Sequence, residues 1–355
     1  MRYFLLASLD RRRVCLTGLA IILFFGIGLM LIQPVFALTI SPVRMEISGD
    51  PGQTLGDTLE LFNEQDETKT FYSSAANFEA RGESGAPYFL PDTNKGLASW
   101  ISVQESVTLK AGERTKIPFT IQIPAKTEAG GYFAAVLWGT SPAGQQGSGQ
   151  VSIGGKLGVL ILLSVKGELK EGGGLLDFKI EEGGRFVNSL PIVFVYRFSN
   201  DGSERVKPTG ELKVKNLFGF TTVTLNANPQ SGNILPGSIR KFSVVWSGEN
   251  QQDKTAVTAT EETTKDGQGF FAAVKNQWKN FALGPYKAEL NLTYGKLSEA
   301  EATNKAEASY RFFVVPWQLL SIIIVILGII GFLAFVGLKK YNRWIIKKAQ
   351  SGKFQ

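Results

Sequence analysis

Histidine is absent from all 355 residues, and cysteine occurs once, at Cys15. Beyond residue 15 the chain has neither imidazole nor thiol. Disulfides, Cys/His metal sites and every His-based catalytic triad are excluded over that whole length. An exported domain without disulfides must be held by core packing alone. Charge is sparse too, at 19% of residues, and the net value of +7 misleads. Four of the 38 basic residues precede residue 38 and six follow residue 338, whereas Asp10 is the one acid outside 38–315. The stretch 38–315 therefore holds 28 basic and 30 acidic residues. That balance gives no phosphate-binding face, so no nucleic-acid partner is expected. The basic pI belongs to the flanks, where Lys and Arg set topology and touch anionic lipid.

Two apolar runs stand at the ends. Arg2, Arg11, Arg12 and Arg13 precede the run Val14–Ile32, which Gln33-Pro34 breaks before Val35-Phe36-Ala37. This reads as a signal peptide over 1–37, with an uncleaved anchor as the alternative. The second run, Leu319–Leu338, has no charge over 20 residues. As a helix it spans about 30 Å, the thickness of a bilayer core. Trp317 lies at one end and Tyr341 and Trp344 at the other, as interfacial anchors. Residues 316–338 are expected to cross the membrane. The tail 339–355 carries Lys339, Lys340, Arg343, Lys347, Lys348 and Lys353 and no acid, so the positive-inside rule places it in the cytoplasm and 38–315 outside. Membrane lipid is thus one expected partner.

The exterior reads as strands. Ile117, Phe119, Ile121 and Ile123 alternate with Pro118, Thr120 and Gln122, and Ala288, Leu290 and Leu292 alternate with Glu289, Asn291 and Thr293. A period of two marks half-buried strands. Further runs are Leu38–Ile47, Thr58–Phe62, Thr70–Phe78, Ser106–Leu109, Tyr132–Gly139 and Val151–Val165, with turns at Pro51-Gly52, Ala111-Gly112 and Gly130-Gly131. A second series follows the break "KGELKEGGG" (166–174), beginning with Leu175–Ile180 and Ile192–Phe198 and ending with Ser309–Val315. The fold class is therefore all-β: two tandem immunoglobulin-like β-sandwiches, 38–168 and 169–315, before one transmembrane helix.

Three segments break this rhythm. The stretch 80–99 reads as a long loop carrying Tyr88 and Phe89 beside Pro87 and Pro91. These two rings are the candidate binding residues, because stiff aromatics lose little entropy on meeting a partner; packing on their own sandwich is the alternative. The stretch 141–150 reads as a mobile hairpin tip. Polar 249–269 leads into "FFAAVKNQWKNFALG" (270–284), where Phe271, Val274, Trp278 and Phe281 fall near helical spacing and Trp278 is expected in the core.

Catalytic chemistry finds no foothold. Glu60, Glu64, Asp66 and Glu67 sit at a strand end in solvated register, and Glu181-Glu182 precede a Gly-Gly turn, which is not the paired geometry of a glycosidase. Gly154-Gly155-Lys156 lacks the spacing of a phosphate loop. No catalytic, metal or cofactor residue is expected, and the chain is read as a non-enzyme.

"ISPVRMEISGDPGQTLGDTLELFNEQDETKTFY" (40–72) and "ASWISVQESVTLKAGERTKIPFTIQIPAKTEAGGYFAAVLWGT" (98–140) resemble the first domain of the WxL-interacting proteins of Gram-positive bacteria. The resemblance rests on Pro51-Gly52 after the first strand, Asn63 ending the second, Trp100 before "VTLKAGE" and the Gly-Gly-Tyr at 130–132. It implies a cell-surface protein whose first domain belongs to a peptidoglycan-binding class and whose second binds another surface protein. The same strands resemble the amino-terminal domain of periplasmic pilus chaperones, but Pro42 stands where that family's first-strand Arg is expected, with Arg44 two residues on. The expectation is a membrane-anchored surface binding or scaffold protein. The alternative is a membrane-tethered chaperone or assembly factor for exported subunits.

Overall fold

The computed structural model describes residues 38–91, 93–141, 156–248, 269–295 and 304–350. The amino-terminal apolar run, most of the 141–155 tip and residues 249–268 lie outside the described residues.

The chain forms two immunoglobulin-like β-sandwiches and one long carboxy-terminal helix. In the first sandwich one sheet joins β1 (Leu38–Ser41), β3 (Thr54–Asn63), β8 (Arg114–Gln122) and β6 (Ile101–Val103), in that order. The facing sheet runs β2 (Arg44–Gly49), β10 (Leu157–Val165), β9 (Gly130–Gly139), β4 (Lys69–Ala80) and β5 (Pro87–Phe89), with β7 (Ser106–Leu109) also on β4. In the second sandwich β11 (Gly173–Ile180), β13 (Ile192–Asn200) and β16 (Ser238–Trp246) form one sheet. The other runs β12 (Phe186–Val187), β18 (Asn304–Val314), β17 (Gly284–Tyr294), β14 (Thr209–Asn216) and β15 (Thr221–Asn226). Each sandwich has its own core. One is built around Trp138, Phe71 and Ile161, the other around Phe194, Phe198 and Phe312.

The alternating residues behave as the period requires. Ile117, Phe119 and Ile121 are buried while Pro118, Thr120 and Gln122 are exposed. Pro118 is tolerated because β6 pairs only with Phe119–Ile121, so its missing N–H leaves no gap on that side. Two asparagines close corresponding corners. Buried Asn63 donates through Nδ2 to the carbonyls of Glu67, Leu109 and Lys110. Buried Asn200 donates to those of Glu204 and Ile234 and accepts from Gly202 N–H.

Four expectations change. The run Leu38–Ile47 is two strands that switch sheets at Pro42: β1 pairs antiparallel with β3, and β2 parallel with β10. Gly130-Gly131 begins β9 instead of turning, paired with Val165 and Ser164. The 80–99 loop contains β5 and a 3-10 turn, Leu97–Trp100, whose Leu97 and Ala98 are buried. Residues 270–279 do form a helix, α1 (Phe270–Lys279), but Trp278 is exposed and the buried residue is Gln277. The physical reason is that Gln277 is needed where this helix meets the next one, as shown below.

The last helix, α2 (Trp317–Gln350), has 34 residues and continues beyond Leu338 through the basic segment. It is the one helix among the described residues long and apolar enough to cross a membrane. Trp317 is half exposed and packs edge-on against Phe270, Lys339 lies 6.0 Å from the Phe335 ring, and Tyr341 stacks on Trp344. Lys340 and Arg343 are exposed on the same helix.

Candidate binding cleft between the sandwiches

Alternation puts Phe78, Ala135 and Leu162 on the outer face of the β9–β10 sheet, away from the first core. All three are nonetheless buried. The second sandwich covers Phe78 and Leu162, which share a cavity with Ile234, Leu235 and Ile239. Gly131 N–H donates to the Ser203 carbonyl at 2.9 Å. A Cβ at Gly130 would lie 2.7 Å from that same oxygen, so only glycine permits the approach.

Charged side chains lock this joint. Arg205, 5% exposed, donates to the Leu162 carbonyl and to Glu204 Oε1, both at 3.3 Å, and lies 3.6 Å from Glu46 Oε2. Asn233 Nδ2 donates to Glu46 Oε1 at 2.9 Å. Arg44 reaches the Ser231 carbonyl at 3.2 Å. On the other side, the β4–β5 loop lies on β13 and β16. Arg197 makes two bonds to the Glu83 carboxylate, and Lys241 N–H donates to the Glu83 carbonyl at 2.8 Å. Burial pulls the Glu46 carboxyl up, but the Asn233 amide and the Arg205, Arg44 and Lys207 charges bring it below its ordinary value. Burial pushes Glu204 above its ordinary value despite Ser164 and Arg205.

Within the joint lies a cavity of about 150 Å³. Its floor is Leu160, Leu162 and Phe78, and Arg44, Asn233 and Arg240 line its polar side. Arg240 is wedged between two glycines. A Cβ at Gly85 would sit 2.4 Å from its Cζ, and one at Gly232 2.8 Å. Gly85 also has a φ of +75°, where a side chain is disfavoured. The guanidinium donates to the Asn233 carbonyl at 2.7 Å and lies 5.3 Å from the Phe242 ring. Among the described residues it has no carboxylate partner, and its Nε and the Asn233 Oδ1 are buried without a hydrogen bond. Burial, then the Arg44 charge, hold its pKa below the ordinary value. An anion in the cleft would relieve both effects.

Tyr88 and Phe89 follow the cavity-lining Pro87 on successive positions of β5, so they face opposite ways. Phe89 opposes Phe78 edge-on, with ring centroids 6.3 Å apart. Tyr88 carries the Arg81 guanidinium 3.4 Å from its ring centre. Both are about two-fifths exposed. The structure does not join them into one platform. Only Pro87 of β5 lines the cavity itself. Asn233 and Arg240 escape a reading of the sequence because their partners lie far away along the chain. The one local signal is Gly232, eight residues before Arg240.

No protein-family model matches the sequence, and no curated protein matches it. Solved structures similar to the chain include the class 5 fimbriae chaperone CfaA, at 12% identity and a TM-score of 0.35, covering 79% of this chain and 100% of that one. The Escherichia coli chaperone DraB gives 11%, 0.32, 77% and 96%. The Pseudomonas aeruginosa chaperone CupB2 gives 8%, 0.32, 78% and 100%. Likenesses this distant carry no argument about what the chain binds.

Proposed function

We propose that the chain is a non-enzymatic, single-pass membrane protein that displays its two sandwiches outside the cell as one jointed unit. In this reading the cleft binds an acid-bearing group of cell-wall peptidoglycan or of another surface protein. One observation carries it: Arg240 is half-buried over an apolar floor beside Arg44, with no carboxylate partner among the described residues and a buried Nε left without a hydrogen bond. A guanidinium in that setting is stabilised by a carboxylate in fork geometry. Tyr88 and Phe89, next to Pro87 on β5, would add contact area. The span anchors and does not transport, for no charge lies between Leu319 and Leu338.

The second reading, a tethered chaperone for exported subunits, is favoured by one feature. Among the described residues, pairing of β10 with β2 begins only at Leu160, so Leu157–Val159 have no strand partner on that side and would accept an added strand. The readings separate on the full chain in nanodiscs, incubated with purified cell wall and with surface proteins from envelope extracts. Arg240→Ala is expected to weaken capture at least tenfold, about 1.4 kcal/mol, and Tyr88→Ala with Phe89→Ala to weaken it less. Capture unaffected by Arg240→Ala, or release of the captured protein on subunit assembly, overturns the cleft-binding reading.

A further inference from the structure

Helix α1 is built the wrong way round for water. A surface helix normally turns its apolar face to the protein and its polar face outward. Here three polar side chains point inward, beside half-buried Ala273 and Val274. Asn276 Nδ2 donates to the Leu190 carbonyl at 3.0 Å and Asn280 Nδ2 to Asn276 Oδ1 at 2.9 Å, while Gln277, 2% exposed, bonds the Asn188 carbonyl. The outward face carries Phe271, Lys275 and Trp278, which are helical neighbours at spacings of four and three. Phe271 is 79% exposed and Trp278 72%.

This helix is fastened to the start of the span. Gln277 Oε1 accepts the Leu319 N–H at 2.9 Å, its Nε2 contacts Gln318 Oε1, and Phe270 packs on Trp317. The Gln277 side chain thus satisfies an amide that the first turn of α2 leaves open.

The strand register brings a second aromatic group to the same end. Gly284 pairs with Val314, two residues before Pro316-Trp317, and Asn216 pairs with Tyr286. The β14–β15 turn, Leu217-Phe218-Gly219-Phe220, therefore projects from the end of the sandwich nearest the span. Phe218 is 79% exposed and Phe220 70%. Phe186 stacks on Phe313 at this end as well. Among the described residues from 38 to 316, ten of the fifteen exposed large apolar side chains lie here, so their placement follows the end of the sandwich and not its general surface. Val314 and Trp317 are three residues apart and separated by at most about 10 Å. That distance matches the 5–10 Å depth of about one headgroup layer at which interfacial side chains settle.

We propose that the base of the second sandwich rests on the lipid bilayer, with α1 lying in the headgroup layer and the Leu217–Phe220 turn inserted beside it. The observation that selects lipid over a protein partner is continuity: Phe270 packs on both Phe271 of the exposed face and Trp317, the first residue of the span. The proposal rests on the anchored reading of α2 but not on the cleft. Its consequence is a fixed stance. The cleft is held at a set height and tilt above the membrane, rather than swinging on a flexible stalk.

The test uses the full chain in single-copy nanodiscs, with Cys15→Ser as background and one spin label at a time on F218C, F271C, L176C or I330C. Leu176 is an exposed control on β11, and Ile330 lies in the span. Accessibility is measured to oxygen, which enters lipid, and to a water-soluble nickel chelate. Labels at 218 and 271 are expected to show a higher oxygen-to-nickel ratio than the label at 176, approaching that at 330. Nickel access at 218 and 271 equal to that at 176, with 330 protected, overturns the proposal while leaving the anchor intact. Water access at 330 overturns the anchored reading itself. Protection at 218 and 271 from both reagents, seen only when discs hold two copies, assigns the surface to self-association and overturns the lipid assignment.

Discussion

The two ends of the second sandwich are made of opposite materials. The end facing the first sandwich presents Asn200, Glu204, Arg205 and Asn233, all buried and nearly all hydrogen-bonded. The end facing the span presents Phe186, Phe218, Phe220, Phe271 and Trp278, all exposed. Buried polar groups need fixed partners and so require another protein surface of defined geometry. Exposed rings, which need no hydrogen-bond partner, suit a medium that is apolar and shapeless. In the proposed stance, one β-sandwich would distinguish a protein neighbour from a membrane by side-chain chemistry alone, since both ends use the same strand and turn geometry.

The comparison can be broken most forcefully at Arg205. Arg205→Ala strands Glu204 in the joint and removes a charge that faces Glu46, at a cost of about 3 kcal/mol. Thermal unfolding of the full chain in detergent is expected to fall in temperature, with both sandwiches affected. Arg205→Met keeps the bulk without the charge and should recover part of the loss by filling the void. Equal behaviour of the wild type and both variants would mean that the joint does not depend on this residue.

At the other end the corresponding change is Gln277→Ala. It leaves the Leu319 N–H and the Asn188 carbonyl without their partner, an effect of about 1–3 kcal/mol, felt locally between α1 and α2. Hydrogen exchange at Leu319 should speed up, and the distance distribution between labels on β17 and on the span should broaden. Unchanged exchange would show that the first turn of α2 finds its own cap.

The smallest effect is that of pH. The Arg197 bond to Glu83 lowers the Glu83 pKa, and the Glu46 carboxyl is also held below the ordinary 4.5. Both contribute stability that is present above that value and lost as pH falls through their lower folded-state values. Glu204 has the opposite sign: its pKa is raised, so its buried charge is unfavourable at neutral pH and relieved by protonation. The joint is therefore expected to hold from pH 7 down to about 5 and to loosen below pH 4.5, as read by energy transfer between dyes on the two sandwiches. Loosening between pH 7 and 5 would instead give the Glu204 charge a supporting role.

Much of the fold was legible because strands announce themselves locally. The alternation through Ile117–Ile123 and through Ala288–Leu292 fixes which face of each strand is buried, and the charge-free Leu319–Leu338 run fixes the long helix. The Pro42 sheet switch was not legible, for an extended run reads alike whichever sheet it joins. The glycines at 130 and 131 misread as a turn because the sequence cannot show Ser203 pressing against them. Trp278 misread as core because helical spacing gives the apolar face of a helix but not what that face meets. Of the candidate site, the sequence supplied Tyr88 and Phe89, whereas Asn233 and Arg240 became visible only once the β4–β5 loop lay against β16.

The sequence by itself determined an all-β chain without imidazole, and without thiol beyond residue 15, its strand faces and its long carboxy-terminal apolar helix, because these depend on composition and on periods of two and 3.6 residues. The tertiary structure alone decided that Glu46 meets Arg205, that Arg240 is wedged between Gly85 and Gly232, and that the exposed aromatics gather beside Trp317. Those pairings join residues remote in sequence, and no local energy term distinguishes them until the sandwiches close and dock.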